Sequence, residues 1–324
     1  MAYCLGIDLG GTHMAAALVD PENGFSLSHR VTRPTVVTGN PDDLVQQIVE
    51  LGKACLADAG IKAEELDSMG IGSPGVANSE TGSIDNAHNL GVDSLPLTKA
   101  LEKAFGVPVG LVNDANAAAC GEFLAGAGAG CRSLVAVTLG TGVGGGIILD
   151  GKLLTGRNYA AGEIGHMVLI QDGEPCTCGQ KGCLEAYASA TALIRQTRHA
   201  MEAHPESAMW KLCPTLDQVN GILAFDAARE GDPAGKEVLD NYIRHLAWGV
   251  ISLINLLDPE VVCIGGGISG SGDELLLPLR EQVYPHVFAQ NATHPTRVEL
   301  AKLGNHAGLI GAACIRWMEH SVKG

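Results

Sequence analysis

The apolar positions of this chain fall into short runs broken by glycine and longer segments with helical spacing. "YCLGIDLGGTHMAAALVD", Tyr3 to Asp20, reads as an apolar strand, a glycine turn and a second apolar strand. A related stretch, "VAVTLGTGVGGGIILDG", follows about 130 residues later. There Leu9-Gly10 corresponds to Leu139-Gly140, Ala17-Leu18-Val19 to Ile147-Ile148-Leu149, and Asp20 to Asp150. Both copies close on turn residues, Pro21-Glu22-Asn23-Gly24 and Asp150-Gly151, as hairpins do. The recurrence predicts an internal duplication.

Between the copies, helix and strand patterns alternate. Asn40-Pro41 and the following "DDLVQQIVELGKACLADAG" supply a cap, a proline in the first turn, helical apolar spacing and a terminal Gly60. "SMGIGSPG" predicts a strand entering a turn, "LTKALEKAFG" a helix ended by Gly106, "PVGLVND" a strand and "ANAAACGEFLAGAG" a helix. Such alternation argues for an α/β fold. Farther on, residues 190–257 are expected to be mostly helical. The run Leu246 to Leu257, "LAWGVISLINLL", predicts a buried core helix and is too short to span a bilayer. "PEVVCIGGGISG" predicts a strand and glycine turn, "GDELLLPLREQVY" a helix, and "NHAGLIGAACIRWMEH" one closing helix. No linker or low-complexity tract stands out, and a domain boundary is expected between Asn113 and Gly130.

Composition narrows this picture. With 324 residues, 46% of them hydrophobic, the chain can build one large domain or two ordinary ones. Aromatics make up only 4%, so small aliphatic residues must fill the interior, and 43 glycines imply closely approaching backbones and ligand loops. The net charge of −15 disfavours nucleic acid and anionic membranes as partners. If a phosphate is bound, backbone amides and a cation must offset that charge. The opening "MAYCLGIDLGGTH" is no signal peptide, and ten cysteines without an export signal point to the cytoplasm and reduced thiols.

Three glycine loops offer phosphate or nucleotide sites: Asp8 to Thr12, Leu139 to Gly146, and Gly265 to Gly270. Each follows an apolar strand, and glycines let backbone N–H groups approach an anion. Thr12 and Thr141 add hydroxyls, and Asp8 at a strand end could hold Mg²⁺. The P-loop motif is absent. G-x-G-x-x-G occurs twice, at Gly140-Gly142-Gly145 and Gly265-Gly267-Gly270. The first leads into a strand where a dinucleotide fingerprint needs a helix, and the second has no clear ribose-binding acid after it, so a Rossmann dehydrogenase is disfavoured.

"GEIGHMVLIQDGEPCTCGQKGCLEAY" gathers His166, Cys176, Cys178 and Cys183. Three thiolates and an imidazole suit tetrahedral Zn²⁺ with every position filled, a structural site. Scattered buried cysteines are the plainer reading for Cys4, Cys55, Cys120, Cys131, Cys213 and Cys263, and a Cys-x-Cys redox pair is the minor alternative for the cluster. Glu163 and Glu185 flank the set, so a closed metal site would fix both carboxylates on a loop with little core. "LVNDANAAA" places Asn113 and Asp114 where a strand ends and a helix begins, the position where open α/β sheets bind ligands. Asp114 suits a general base for a hydroxyl attacking a phosphoryl group, and it suits equally a plain helix cap, as does Asn113. With Asn86 and Asn89 nearby in sequence, these amides and carboxylates suit a sugar; as turn formers the asparagines need no ligand.

Taken together, "GIDLGGTH", "GIGSPG", "LVNDANAAA", "LGTGVGGGI", "GEIGH", "CTCGQKGCLE" and "VVCIGGGIS" resemble the ROK family of sugar kinases and repressors, from about Leu5 to the final helix. "CLEAYASATAL" looks most like the bacterial ATP-dependent glucokinases of that family. The resemblance implies a duplicated actin-like, RNase-H-like two-domain α/β kinase fold of the sugar kinase, Hsc70 and actin superfamily. The division expected is residues 1–115 with the C-terminal helix 305–324 as a small domain, and 116–304 as a large domain carrying the zinc loop. ATP would lie between the domains, its phosphates near Gly10, Gly11, Thr12, Thr141 and Gly142 and its adenosine near Gly265, Gly266 and Gly267. Asp114 would take the proton of the sugar 6-hydroxyl. Asn89, Asn113, Glu163, His166 and Glu185 would hold the sugar, with the Gly75 backbone nearby, and His166 would serve zinc and sugar through its two ring nitrogens. Glucose is favoured over mannose, fructose, N-acetylglucosamine and N-acetylmannosamine, and polyphosphate as donor stays open. A homodimer is implied, sometimes paired into tetramers.

His13 stands where many relatives carry Lys or Asn, and the "DLGGT" motif begins at Asp8, with no helix-turn-helix before it. A glycoside hydrolase using Glu163 and Glu185 would leave the glycine loops without a purpose. A non-catalytic sugar sensor would have no need of Asp8, Asp114 and the threonine–glycine set.

Overall fold

The apolar runs form strands and the spaced segments form helices in the computed structural model, which describes residues 3–87 and 90–321. The first copy of the recurring stretch gives β1 (Tyr3–Leu9) and β2 (His13–Asp20), followed by β3 (Ser26–Pro34). Next come β4 (Leu66–Ser73), the short β5 (Val76–Asn78), β6 (Ser83–Asp85) and β7 (Ser94–Pro96), and then β8 (Val109–Asn113). The second copy gives β9 (Leu134–Leu139), β10 (Val143–Leu149) and β11 (Lys152–Leu153), and the chain later adds β12 (Val261–Gly265) and β13 (Arg297–Leu300).

One sheet has the order β3-β2-β1-β4-β8 and the other β11-β10-β9-β12-β13. Numbered within each sheet, both read 3-2-1-4-5. In each, the hairpin strands pair antiparallel, as β1 with β2 and β10 with β11, and the later strands pair parallel, as β4 with β8 and β12 with β13. The fold is therefore the duplicated α/β architecture that the recurrence predicted. By compactness the chain forms two units: unit 1 is Met1–Ala136, Gly146–Gly162 and Lys302–Gly324, and unit 2 is Val137–Gly145 and Glu163–Ala301.

Unit 1 explains the scarcity of aromatics. The helix Ala307–Ala313 lies on β1 and β4 at a distance that only glycine permits: a Cβ on Gly6 would collide with the Leu309 carbonyl, and one on Gly70 with the Ala312 carbonyl. The same helix packs on Asp114–Ala125 through Ala307 and Gly121. The closing helix expected as one piece is interrupted at Cys314 (φ −96°, ψ 8°) and resumes as Ile315–Ser321. Both halves pack on the sheet, the first against Gly6 and Gly70 and the second through Ile315 against Gly70 and Gly110. The helix Pro41–Ala59 begins at Asn40, whose side chain accepts the Asp42 N–H, and ends at Gly60 in the left-handed region (φ 69°), as its sequence signals required.

In unit 2 the segment Leu246–Leu257 lies in the helix Pro233–Leu257. Its core face is buried, while Trp248 and Leu256 are exposed at 46% and 76%, so the buried core helix expected there is buried on one face. No helix among the described residues is long and apolar enough to cross a membrane.

Candidate active site

In unit 1 the candidate residues collect at the carboxyl ends of β1, β4 and β8. Asp8 lies on β1, opposite Ala15 of β2 and Gly72 of β4. Its carboxyl is held above the usual carboxylate range, chiefly by burial and next by the charge of Asp114, with Arg30 opposing. Two carboxylates sharing one region with so little positive charge form a donor set that fits a divalent cation. The turn that follows is tied down by backbone bonds: Gly10 N–H to the His13 carbonyl at 3.0 Å, and Thr35 N–H to the Thr12 carbonyl at 2.8 Å. Gly11 completes it, and His13 Nδ1 lies 3.2 Å from Thr12 Oγ1, so the departure at position 13 touches the loop hydroxyl.

Asn113 and Asp114 divide the roles that residue type alone left open. Asn113 is the cap: its Oδ1 accepts the N–H groups of Ala115 at 2.9 Å and Asn116 at 3.3 Å. Its Nδ2 donates to the Gly75 carbonyl at 3.1 Å, which ties the turn after β4 to the end of β8. Asp114 is the first helical residue, exposed, with Oδ1 accepting its neighbour's N–H, from Ala115, at 2.8 Å. Gly75 (φ 100°) occupies a conformation open to glycine, beside the three-stranded sheet β5-β6-β7. Asn89 lies outside the described residues. A cavity of about 370 Å³ in unit 1, lined by Leu111, Val112, Ile315 and Met318 among others, touches Asn113 but neither Asp8 nor Asp114.

Unit 2 brings together the remaining candidates. Gly140 N–H bonds the Gly142 carbonyl at 3.0 Å, the counterpart of the Gly10 turn. The Thr141 carbonyl accepts the Thr191 hydroxyl at 2.8 Å. Gly266 (φ 85°) sits so close to Leu139 that any Cβ would collide with its backbone, so the loop Gly265, Gly266 and Gly267 lies directly against the end of β9. Two of the three glycine loops are thus adjacent. Glu185 joins them to the cysteine stretch: its Oε2 accepts the Val143 N–H at 3.0 Å and its Oε1 the Thr177 hydroxyl at 3.1 Å. Glu163 is exposed just before the single turn Ile164–His166.

The four metal-ligand candidates do converge. Their donor atoms all lie within 4.8 Å of one another, with Cys178 Sγ to Cys183 Sγ and Cys176 Sγ to His166 Nδ1 both at 3.7 Å. A tetrahedron with arms of about 2.3 Å has edges of about 3.8 Å, so the donor set fits Zn²⁺. Burial pushes the Cys183 thiol up to about 12, while the Gln180 backbone N–H beside Cys178 lowers that thiol. Val168 and Ile170 on the same stretch are exposed at 61% and 39%, so little core holds it.

Asp8 carries a stability consequence. A carboxyl raised in the folded state binds more protons folded than unfolded, between its ordinary value and the raised one. Stability from this group therefore falls as pH rises through that window. Asp8→Asn is expected to raise the melting temperature of the metal-free protein at neutral pH, with a smaller gain near pH 4. Melts of both proteins at the two pH values check this; a variant that melts lower than wild type at neutral pH contradicts it.

Comparison with known proteins points one way. A family model described as ROK family matches residues 4–318. A glucokinase of Thermotoga maritima is 40% identical over 96% of each chain, and one of Streptomyces coelicolor 37% identical over 97% of each. Among solved structures, a ROK family glucokinase of Streptomyces griseus, in complex with glucose and AMPPNP, superposes with a TM-score of 0.78. It is 35% identical, covering 97% of this chain and 99% of the other.

Proposed function

The chain belongs to the ROK family, and on that premise we propose that it transfers the γ-phosphoryl group of ATP to the 6-hydroxyl of D-glucose. What carries this reading is the likeness to glucokinases over nearly the whole length of both chains. Asp114 is the proposed base. Its exposed carboxylate accepts the 6-hydroxyl proton as that oxygen bonds to phosphorus and the bond to ADP breaks. Asn89, Asn113, Glu163, His166 and Glu185 are the residues proposed to hold glucose, together with the Gly75 backbone. The backbone N–H groups at Gly10, Gly11, Thr12, Thr141 and Gly142 face the phosphates, and Gly265, Gly266 and Gly267 the adenosine. Asp8 is the ligand proposed for Mg²⁺, which supplies positive charge against the phosphates.

His166, Cys176, Cys178 and Cys183 are the ligands proposed for a structural Zn²⁺, with His166 Nδ1 on the metal side and Nε2 left for a sugar hydroxyl. Cys178 is exposed, so Cys178→Ser removes a ligand without opening the core. The variant is expected to purify with well under one equivalent of zinc and to melt several degrees lower, with a raised KM for glucose. Elemental analysis and melting curves decide; a wild-type protein that takes up no zinc on refolding with it sinks the assignment.

A cytoplasmic homodimer fits the remaining features. Trp248, Leu256 and Phe288, the last 94% exposed, lie in one region of unit 2, where Trp248 meets His286 and the Phe288 N–H bonds Asn255 on the Trp248 helix. Exposed apolar area of this kind suits burial against a second copy.

The test is ADP formation from Mg-ATP with and without D-glucose. Glucose-dependent ADP is the expected result. No rise over the blank overturns glucose as substrate, and mannose, fructose and the N-acetylated hexosamines are then the sugars to assay.

A further inference from the structure

Glu185 is held in a way that the sugar-binding reading does not by itself require. One carboxylate oxygen takes the Val143 N–H at 3.0 Å, from the strand after the second glycine loop. The other takes the Thr177 hydroxyl at 3.1 Å. Gly142 leaves room for the carboxylate, since a Cβ there would collide with Oε2. These two donors fix the rotation of the carboxylate plane; Cys176 Sγ also lies 3.5 Å from Oε1, and as a metal thiolate it would donate no proton, which would leave a lone pair on each oxygen for a pair of hydroxyls. Thr177 lies between Cys176 and Cys178, so the loop that gathers the four ligand atoms also sets the position of this hydroxyl.

We propose that Thr177 is a positioning residue for the sugar, acting through Glu185 and transmitting the geometry of the cysteine loop to the pocket. The inference rests on the glucokinase reading above. Without the hydroxyl, Oε1 keeps the contact with Cys176 Sγ at 3.5 Å. A metal-bound thiolate has no proton to donate and repels a carboxylate. Glu185 would then keep only the Val143 bond and lose its orientation. Thr177 is exposed and makes no contribution to the core, so changing it tests orientation and not packing.

The experiment compares wild type with Thr177→Val, which keeps the shape, and Thr177→Ser, which keeps the hydroxyl. Steady-state kinetics, glucose affinity by calorimetry without nucleotide, and zinc content are measured on each. A hydrogen bond to a charged group supports an effect of about ten-fold. Thr177→Val is expected to raise the KM and the dissociation constant for glucose by about that factor. Its kcat should stay within about two-fold and its zinc content should not change, the signature of lost ground-state binding. Thr177→Ser is expected to restore affinity. Unchanged glucose affinity in Thr177→Val overturns the proposal, as does a serine variant as weak as the valine one. Loss of zinc together with a fall in kcat also overturns it, because the residue would then serve the loop and not the carboxylate. Wild-type turnover separates the two readings: none with glucose sinks the glucokinase reading, whereas normal wild-type turnover with an unaffected valine variant sinks Thr177 alone.

Discussion

Asp114→Asn is expected to lower kcat by roughly 10²–10⁴-fold, the range for removing a general base, with little change in the KM for glucose or in melting temperature. The replacement keeps size and hydrogen-bonding capacity but removes the group that accepts the proton. The fold should respond little, gaining only the relief of the repulsion with Asp8. Asn113 carries the helix cap, and the Asp114 side chain accepts its neighbour's N–H, which an amide oxygen can also accept. An Asn113→Ala variant is the useful contrast. It removes the cap and the link to Gly75 at once, so it should lose about 1 kcal/mol or more of stability along with affinity. Near-normal turnover in Asp114→Asn, at saturating glucose, would show that another group takes the proton.

Much of this was legible in the chain, and the exceptions have physical causes. The hairpins β1-β2 and β9-β10 were readable because buried strands leave continuous apolar runs, and glycine turns punctuate them. The equal 3-2-1-4-5 orders follow from that duplication. The convergence of His166, Cys176, Cys178 and Cys183 was readable because three of the four lie within eight positions, at Cys176, Cys178 and Cys183, with turn glycines between them. By contrast β5, β6 and β7 have three residues each, too few for a period. Side-chain bonds help hold them, with the Ser94 and Ser83 hydroxyls on Asp85 at 2.7 and 2.9 Å and lowering its carboxyl in that order. The tie between Glu185 and Val143 spans 42 positions, and no local pattern announces it. The choice between Asn113 and Asp114 as cap was undecidable from type, since both are good caps. Only the backbone geometry separates them, placing Asn113 in the extended region (φ −64°, ψ 150°) and Asp114 inside the helix.

Glu122 escaped the sequence reading altogether, and it carries the largest expected effect on stability. A lone glutamate in an alanine-rich helix resembles a solvated face, yet its residue exposure is 2%. Its carboxylate accepts the Ala127 N–H at 2.8 Å, the Leu303 N–H at 2.8 Å and the Lys302 N–H at 3.0 Å. Gly126 makes the site possible, because any Cβ there would collide with the carboxylate. One side chain thus closes the end of the helix Asp114–Ala125 and anchors the backbone that leads into Ala307–Ala313. Glu122→Gln replaces one acceptor oxygen with an NH₂ that faces donors, and Glu122→Leu removes both oxygens and leaves the Ala127 N–H buried without a partner. Hydrogen bonds to charged groups are worth about 1.5–3 kcal/mol each, and an orphaned buried donor costs about 1–3 kcal/mol. Both variants are expected to lose about 3–5 kcal/mol, with leucine the worse. Glu64→Gln, at an exposed position, should stay within about 0.5 kcal/mol of wild type. Urea titrations read by circular dichroism measure the differences. A Glu122→Gln protein as stable as Glu64→Gln would mean that the carboxylate's charge does not hold this junction together.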